Sequence, residues 1–177
     1  NYSTAHAYAA LWHIHNVAQG WAKDSGPDRA EAARLARTAV DCDPADGFAL
    51  SIYGHTKSVL YREYDEAKDI FDRALIASPS NAMAWSLSSG VYGYIEDGRA
   101  AVERAEYGLR LSPSDAQASF YLMFLGQAHY ISGAYDEALI WSRKTAGLNP
   151  RLCANLRVLV AAHVGLGQIE EARRVGT

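Results

Sequence analysis

Four prolines, Pro44, Pro79, Pro113 and Pro150, stand 35, 34 and 37 residues apart in a chain of 177. This even spacing constrains the fold more than any other feature, because a period near 34 residues marks an array of one supersecondary unit. Such a unit cannot bury its own apolar face and must stack on copies of itself. Each proline also closes a helix-forming run: Glu31-Ala32-Ala33-Arg34-Leu35-Ala36 precedes the first, Asp65-Glu66-Ala67-Lys68-Asp69-Ile70-Phe71 the second. Proline ends helices because its ring pushes the preceding residue out of helical backbone angles.

Aligned on the prolines, the chain reads as helix pairs. The first helix of a pair carries large apolar residues three and four apart, and the second carries small residues at the same spacing. Leu50, Tyr53 and Gly54 are followed by Ala67, Phe71 and Ala74; Trp85, Ser88 and Ser89 by Ala101, Ala105 and Gly108; Leu122, Leu125 and Gly126 by Ala138, Ser142 and Thr145. A fifth unit offers Leu156, Leu159 and Val160, then Ala172, and the least regular, first unit offers Gly20, Ala32, Ala36 and Ala39. Small residues belong where two antiparallel helices cross closely. The predicted units are 13–46, 47–81, 82–115, 116–152 and a truncated 153–177, forming one array excised from a longer protein.

The turns carry their own signals. Ser25-Gly26-Pro27-Asp28 supplies an expected N-cap at Ser25, proline in the first turn and an early acid. Ser78-Pro79-Ser80-Asn81 and Ser112-Pro113-Ser114-Asp115 end one helix and cap the next. The 37-residue gap predicts an extra turn in the fourth unit's first helix, around Asp115–Ser119. The 35-residue gap predicts a longer turn near Arg62–Tyr64.

Composition narrows the class. Nearly half the residues are hydrophobic (49%), enough for a substantial core, yet no apolar run reaches the roughly 18–20 residues that span a bilayer. A net charge of −3 argues against nucleic-acid binding by counterion release. Residues 143–177 nevertheless hold six basic side chains against Glu170 and Glu171, an asymmetry able to steer a partner. Cys42 and Cys153 lie far apart in sequence and read as two reduced thiols, which suits a cytoplasmic protein.

Residues of catalytic type are present without catalytic patterns. His13 and His15 are two apart, whereas a helical metal pair needs three or four. His55, His129 and His163 sit in separate units without acidic or thiolate companions, Asp41-Cys42-Asp43 has no local base, and the glycines fall at crossings and corners instead of in a phosphate loop. No enzyme, cofactor or metal site is expected.

The pattern resembles the tetratricopeptide repeat (TPR). The residues that carry the resemblance are Trp85, Leu125-Gly126, the repeated Tyr64-Asp65-Glu66-Ala67 and Tyr135-Asp136-Glu137-Ala138, Phe71 with Ala74, and the four prolines. The implied fold is all-α: a TPR-type α-solenoid of antiparallel helix pairs in a right-handed superhelix. More narrowly, the phrases around Pro79 and Pro113 are similar to the C-terminal TPR regions of bacterial regulators that carry a class III adenylate or guanylate cyclase domain or a winged-helix domain.

The resemblance further implies that the first helix of each unit lines a concave face, here Phe48, Ile52, His55, Met83, Tyr94, Phe120, Met123, Phe124, Gln127, Tyr130 and Arg157. Two readings of so apolar a list stand side by side: tight curvature buries it as core, or it forms a groove for a partner helix or peptide. On the groove reading, Phe124→Asp abolishes binding and spares helicity. The clamp that holds acidic chaperone tails needs Lys, Asn and Arg on this face and is not expected, since Ser51, His55, Met83 and Leu87 stand there. The expected role is a noncatalytic interaction scaffold within a larger bacterial signalling protein, with self-association as the alternative.

Overall fold

A computed structural model describes residues 2–114 and 116–176. The helices are α1 Ser3–Gln19, α2 Ser25–Cys42, α3 Gly47–Thr56, α4 Tyr64–Ala77, α5 Ala82–Tyr94, α6 Gly98–Leu111, α7 Ala118–Ile131, α8 Tyr135–Leu148, α9 Cys153–Gly165 and α10 Ile169–Gly176. Helix α3 continues without a break into a π-helical turn, Lys57–Tyr61. Consecutive helices pair, and the odd-numbered helices pack side by side as an inner layer with the even-numbered ones outside.

The outer helices α4, α6 and α8 have the same length, 14 residues, because proline stops each at the same register. The residues before the prolines, Asp43, Ser78, Ser112 and Asn149, all leave helical space, with φ between −151° and −142°. The N–H groups of Asp46, Asn81 and Leu152 then return to the carbonyls of Asp43, Ser78 and Asn149, closing turns with proline in the second place. The Asp46 carboxylate accepts from the N–H groups of Phe48 and Ala49, and the Asn81 side chain accepts from Ala84. These caps meet backbone donors that the first helical turn leaves unpaired.

Three local expectations are corrected. Asp24, one residue before Ser25, caps α2 by accepting the Gly26 N–H, and Ser25 is already helical. The 37-residue gap is no extra turn: α7 has 14 residues against 13 in α5, and it starts five residues after Pro113, where α3, α5 and α9 start three after theirs. The capping role expected of Asp115 lies outside the described residues. The surplus residue of the 35-residue gap enters the helix as the π-helical turn, leaving only Arg62 and Glu63 before α4. A single inserted residue is the usual origin of such a turn.

At four corners the residue two places before the outer helix takes a left-handed conformation: Arg62 (φ 60°), Glu96 (φ 63°), Gly133 (φ 80°) and Gly167 (φ 73°). The crossings behave as the small residues predict, with Ala67, Ala101 and Ala138 fully buried. Gly126 of α7 presses so closely on α8 that an added Cβ would stand 2.7 Å from the Ser142 Oγ. That hydroxyl is itself buried without a hydrogen-bond partner.

Gly126→Ala is therefore expected to cost about 1–3 kcal/mol, while Ser142→Ala is near neutral because it removes an unpaired polar atom. The double variant should recover most of the loss. A thermal-unfolding cycle measures the coupling, and strict additivity of the two changes would refute this account of the crossing.

Candidate functional site

The inner helices are close enough to fill the space they enclose. Gly90 of α5 lets the Phe124 ring approach, since a Cβ there would lie 3.1 Å from it, and Gly93 does the same for Ile131. Phe120 and Phe124 meet edge to face at 5.0 Å. The His55 imidazole stands edge-on to both, at 6.3 and 6.1 Å, and His15 of α1 meets Phe120 at 5.4 Å from the other side. Offset or perpendicular ring pairs of this kind place a positive edge on a negative face.

The contact of His15 with Phe120 belongs to a wider closure, in which the first and fifth inner helices touch. The Gln19 side-chain carbonyl accepts the Cys153 N–H at 2.7 Å, 134 residues along the chain. It thereby caps α9, whose own cap residue, Leu152, has no side chain able to do so. The Arg157 guanidinium in turn donates to the Ala18 carbonyl at 3.1 Å, near the last turn of α1. Each bond satisfies an end group that its own helix leaves unpaired.

This closure divides the residues that sequence reasoning grouped on one face. Ile52, His55, Met83, Phe120, Met123 and Phe124 are buried to 8% exposure or less. Their side chains are packed interior, as the curvature reading of that face describes. The expectation that Phe124→Asp spares the fold is thus corrected, because the change buries a carboxylate and empties a space filled by an aromatic ring.

The other five line open clefts. Tyr94, Gln127, Tyr130 and Arg157 come together around a cleft of about 520 Å³ between α5, α7 and α9, with Glu96, Val158 and Ala161. Tyr94 is 43% exposed and stacks on Tyr64 at 5.2 Å; partial burial raises its hydroxyl pKa, opposed by a hydrogen bond with Gln127. Tyr130 is half-buried against Tyr135. Phe48 lies apart from these, half-buried against Tyr8 in a cleft of about 300 Å³ that Met83 and Tyr121 also line.

A third cleft, of about 450 Å³, escaped sequence reasoning. It lies where α1 meets the connections before α7 and α9, and its walls include Trp12, Trp21, His15, Phe120 and Leu152. Trp12 stands just ahead of the least regular unit and Trp21 within it, and the opposite wall comes from residues 116–120 and 149–152. No local spacing marks such a site.

Burial governs the electrostatics of the centre. It lowers the His55 pKa to about 3, with a smaller contribution from the charge of His15, and it lowers that of His15 as well. Both rings are neutral near pH 7. Among the described residues, no group of three or more His, Cys, Asp and Glu side chains is arranged to hold a metal ion. Cys42 is exposed, Cys153 is half-buried, and neither is bridged. No described helix is long and apolar enough to cross a membrane.

The sign of the pH effect follows. The unfolded chain protonates these histidines near pH 6.5, whereas the folded protein resists until about pH 3 at His55. Stability is therefore highest above pH 6.5 and falls as the pH drops through this window. Thermal melts between pH 7 and 5, above the range where most carboxylates titrate, should show the fall, and His55→Leu should flatten it. An identical slope in the variant would assign the effect elsewhere.

No family model matches the chain, and no curated protein matches it. Solved structures do. MamA from Desulfovibrio magneticus superposes with a TM-score of 0.62 at 18% identity, covering 99% of this chain and 91% of that one. A tetratricopeptide repeat protein from Parabacteroides merdae gives 0.65 at 15% identity, over 84% of this chain and 57% of the other. A structure of Naa15/Naa10 bound to HypK-THB gives 0.61 at 14% identity, over 99% of this chain and 24% of that chain. At such identities the likeness is one of architecture, and it agrees with the helix pairs described above: the chain has the fold of a TPR-type α-solenoid.

Proposed function

We propose that this chain is a noncatalytic protein-interaction scaffold that holds a partner's helix, peptide or neighbouring domain in the cleft between α5, α7 and α9. The observation that carries the reading is that Tyr94, Gln127, Tyr130 and Arg157 converge there on open space, while Ile52, His55, Met123 and Phe124 at the centre of the inner face are packed. Two tyrosines and an arginine are the residue types that most often dominate interfaces. Phe48 lines a separate cleft with Met83 and Tyr121 and is not assigned to this contact. The same architecture occurs in Naa15/Naa10 bound to HypK-THB. We place the scaffold in the cytoplasm, as the regulatory region of a larger bacterial signalling protein; the unbridged thiols and the phrases around Pro79 and Pro113 support that placement.

A photoreactive side chain at position 130, in cells, should crosslink the partner, and one at the buried position 124 should not. Against the partner so identified, Tyr94→Ala/Tyr130→Ala should weaken binding at least tenfold, about 1.4 kcal/mol, with the melting curve kept. A folded double variant of unchanged affinity would rule out this cleft.

One surface favours self-association as a second reading. Leu156, Val160, Ala161 and Val175 line a largely apolar cleft of about 360 Å³ on α9 and α10, beside exposed Val164 and Ile169. Sedimentation across a hundredfold concentration range should reveal a dimer that Val164→Glu returns to monomer. A monomer throughout removes this reading.

A further inference from the structure

We propose that the cleft at the seam between α1, α7 and α9 is a binding site for a small hydrophobic carboxylate. The site is separate from the partner cleft and does not depend on it. Its volume, about 450 Å³, lies within the range of small-ligand sites. One side is apolar: Trp12, Trp21, Phe120 and Leu152, with the neutral ring of His15 between them. Trp12 and Trp21 keep 58% and 60% of their surface exposed, with ring centroids 6.4 Å apart, an arrangement that leaves large indole faces for a ligand to cover.

The polar side has a definite chemical character. Gln19 has spent its side-chain oxygen on the Cys153 N–H, and Asn149 has spent its own on the Arg151 N–H. An N–H can be met only by the oxygen of an amide, so both amides are fixed in orientation and both keep their NH₂ donors. Arg151 lines the same cleft, is exposed, and has no acidic partner among the described residues. Gln117 and Ser119 complete the polar side with acceptors as well as donors, so the group there that selects charge is the Arg151 guanidinium. One guanidinium matches one planar carboxylate in charge and geometry. A dianionic phosphate exceeds that charge, and a neutral amide or alcohol offers the guanidinium no opposite charge. The apolar wall then requires that the acid carry a hydrocarbon or ring.

The site also spans the closure. Gln19 of α1 and Leu152 before α9 both line it, so a bound acid touches the two ends that the closure joins and favours the closed array.

The test uses the full chain and octanoate, which does not absorb where tryptophan emits. Calorimetry and tryptophan fluorescence should report one saturable site with a dissociation constant of about 0.05–1 mM, the range for a ligand of this size. Octanamide and octyl phosphate should bind at least tenfold more weakly. Arg151→Gln should weaken octanoate at least tenfold and leave the ligand-free melting temperature unchanged, and Trp12→Ala should reduce the fluorescence response. The proposal is overturned by no saturation at 10 mM, by octanamide or octyl phosphate equalling octanoate, or by full affinity in Arg151→Gln. It is equally overturned if only a peptide ending in a free carboxylate binds, since the cleft would then be a docking surface for protein.

Discussion

The close packing of the inner helices on one another is the constraint on which the rest of this structure depends, and it brings α1 against α9. A helical solenoid ordinarily gains its stability from nearest neighbours alone, and its concave face stays wet. Here the inner helices carry small residues where they adjoin, as at Gly90 against Phe124 and Gly93 against Ile131, so each successive helix sits close to the last. Close spacing on the inside, with full-sized outer helices behind, tightens the curvature until Gln19 reaches Cys153. The centre of the enclosed space is taken up by Phe120, Phe124, His55 and His15.

That closure separates what could be read from the sequence from what could not. The helix pairs, the stops at Pro44, Pro79, Pro113 and Pro150, and the buried alanines at positions 67, 101 and 138 follow from local rules repeated in phase, so one chain was enough to find them. The same spacing also marked Tyr94, Gln127, Tyr130 and Arg157 as inner-face residues, and they do line one cleft. Spacing alone does not tell a lining from a filling, because Phe124 and Gln127, three apart, are neighbours on one face of α7, yet Phe124 is buried and Gln127 lines the cleft. Indels were misread for a related reason: the gap between prolines counts residues without saying whether a helix, a loop or a π-helical turn absorbs them. The Trp12 and Trp21 cleft was invisible because half of its wall arrives from more than a hundred residues away.

Closure also changes how the two ends of the array act on one another. Arg157 belongs to both sides of the molecule: it donates to the Ala18 carbonyl of α1, and it lines the cleft beside Tyr94 and Tyr130. One of its five N–H donors is held by that carbonyl and the others remain for the cleft, so the α1 contact and the cleft meet at one guanidinium. Linkage makes any coupling through that side chain reciprocal: a ligand of the proposed cleft that moved Arg157 would change the contact of α1 with α9 by the same free energy with which that contact changes the ligand's affinity. A solenoid with an open inner face has no such route between its ends, because its first and fifth units share no side chain. In this chain Arg157 supplies such a route beside the bond of Gln19 with Cys153, and it alone of the two also reaches the cleft of Tyr94 and Tyr130.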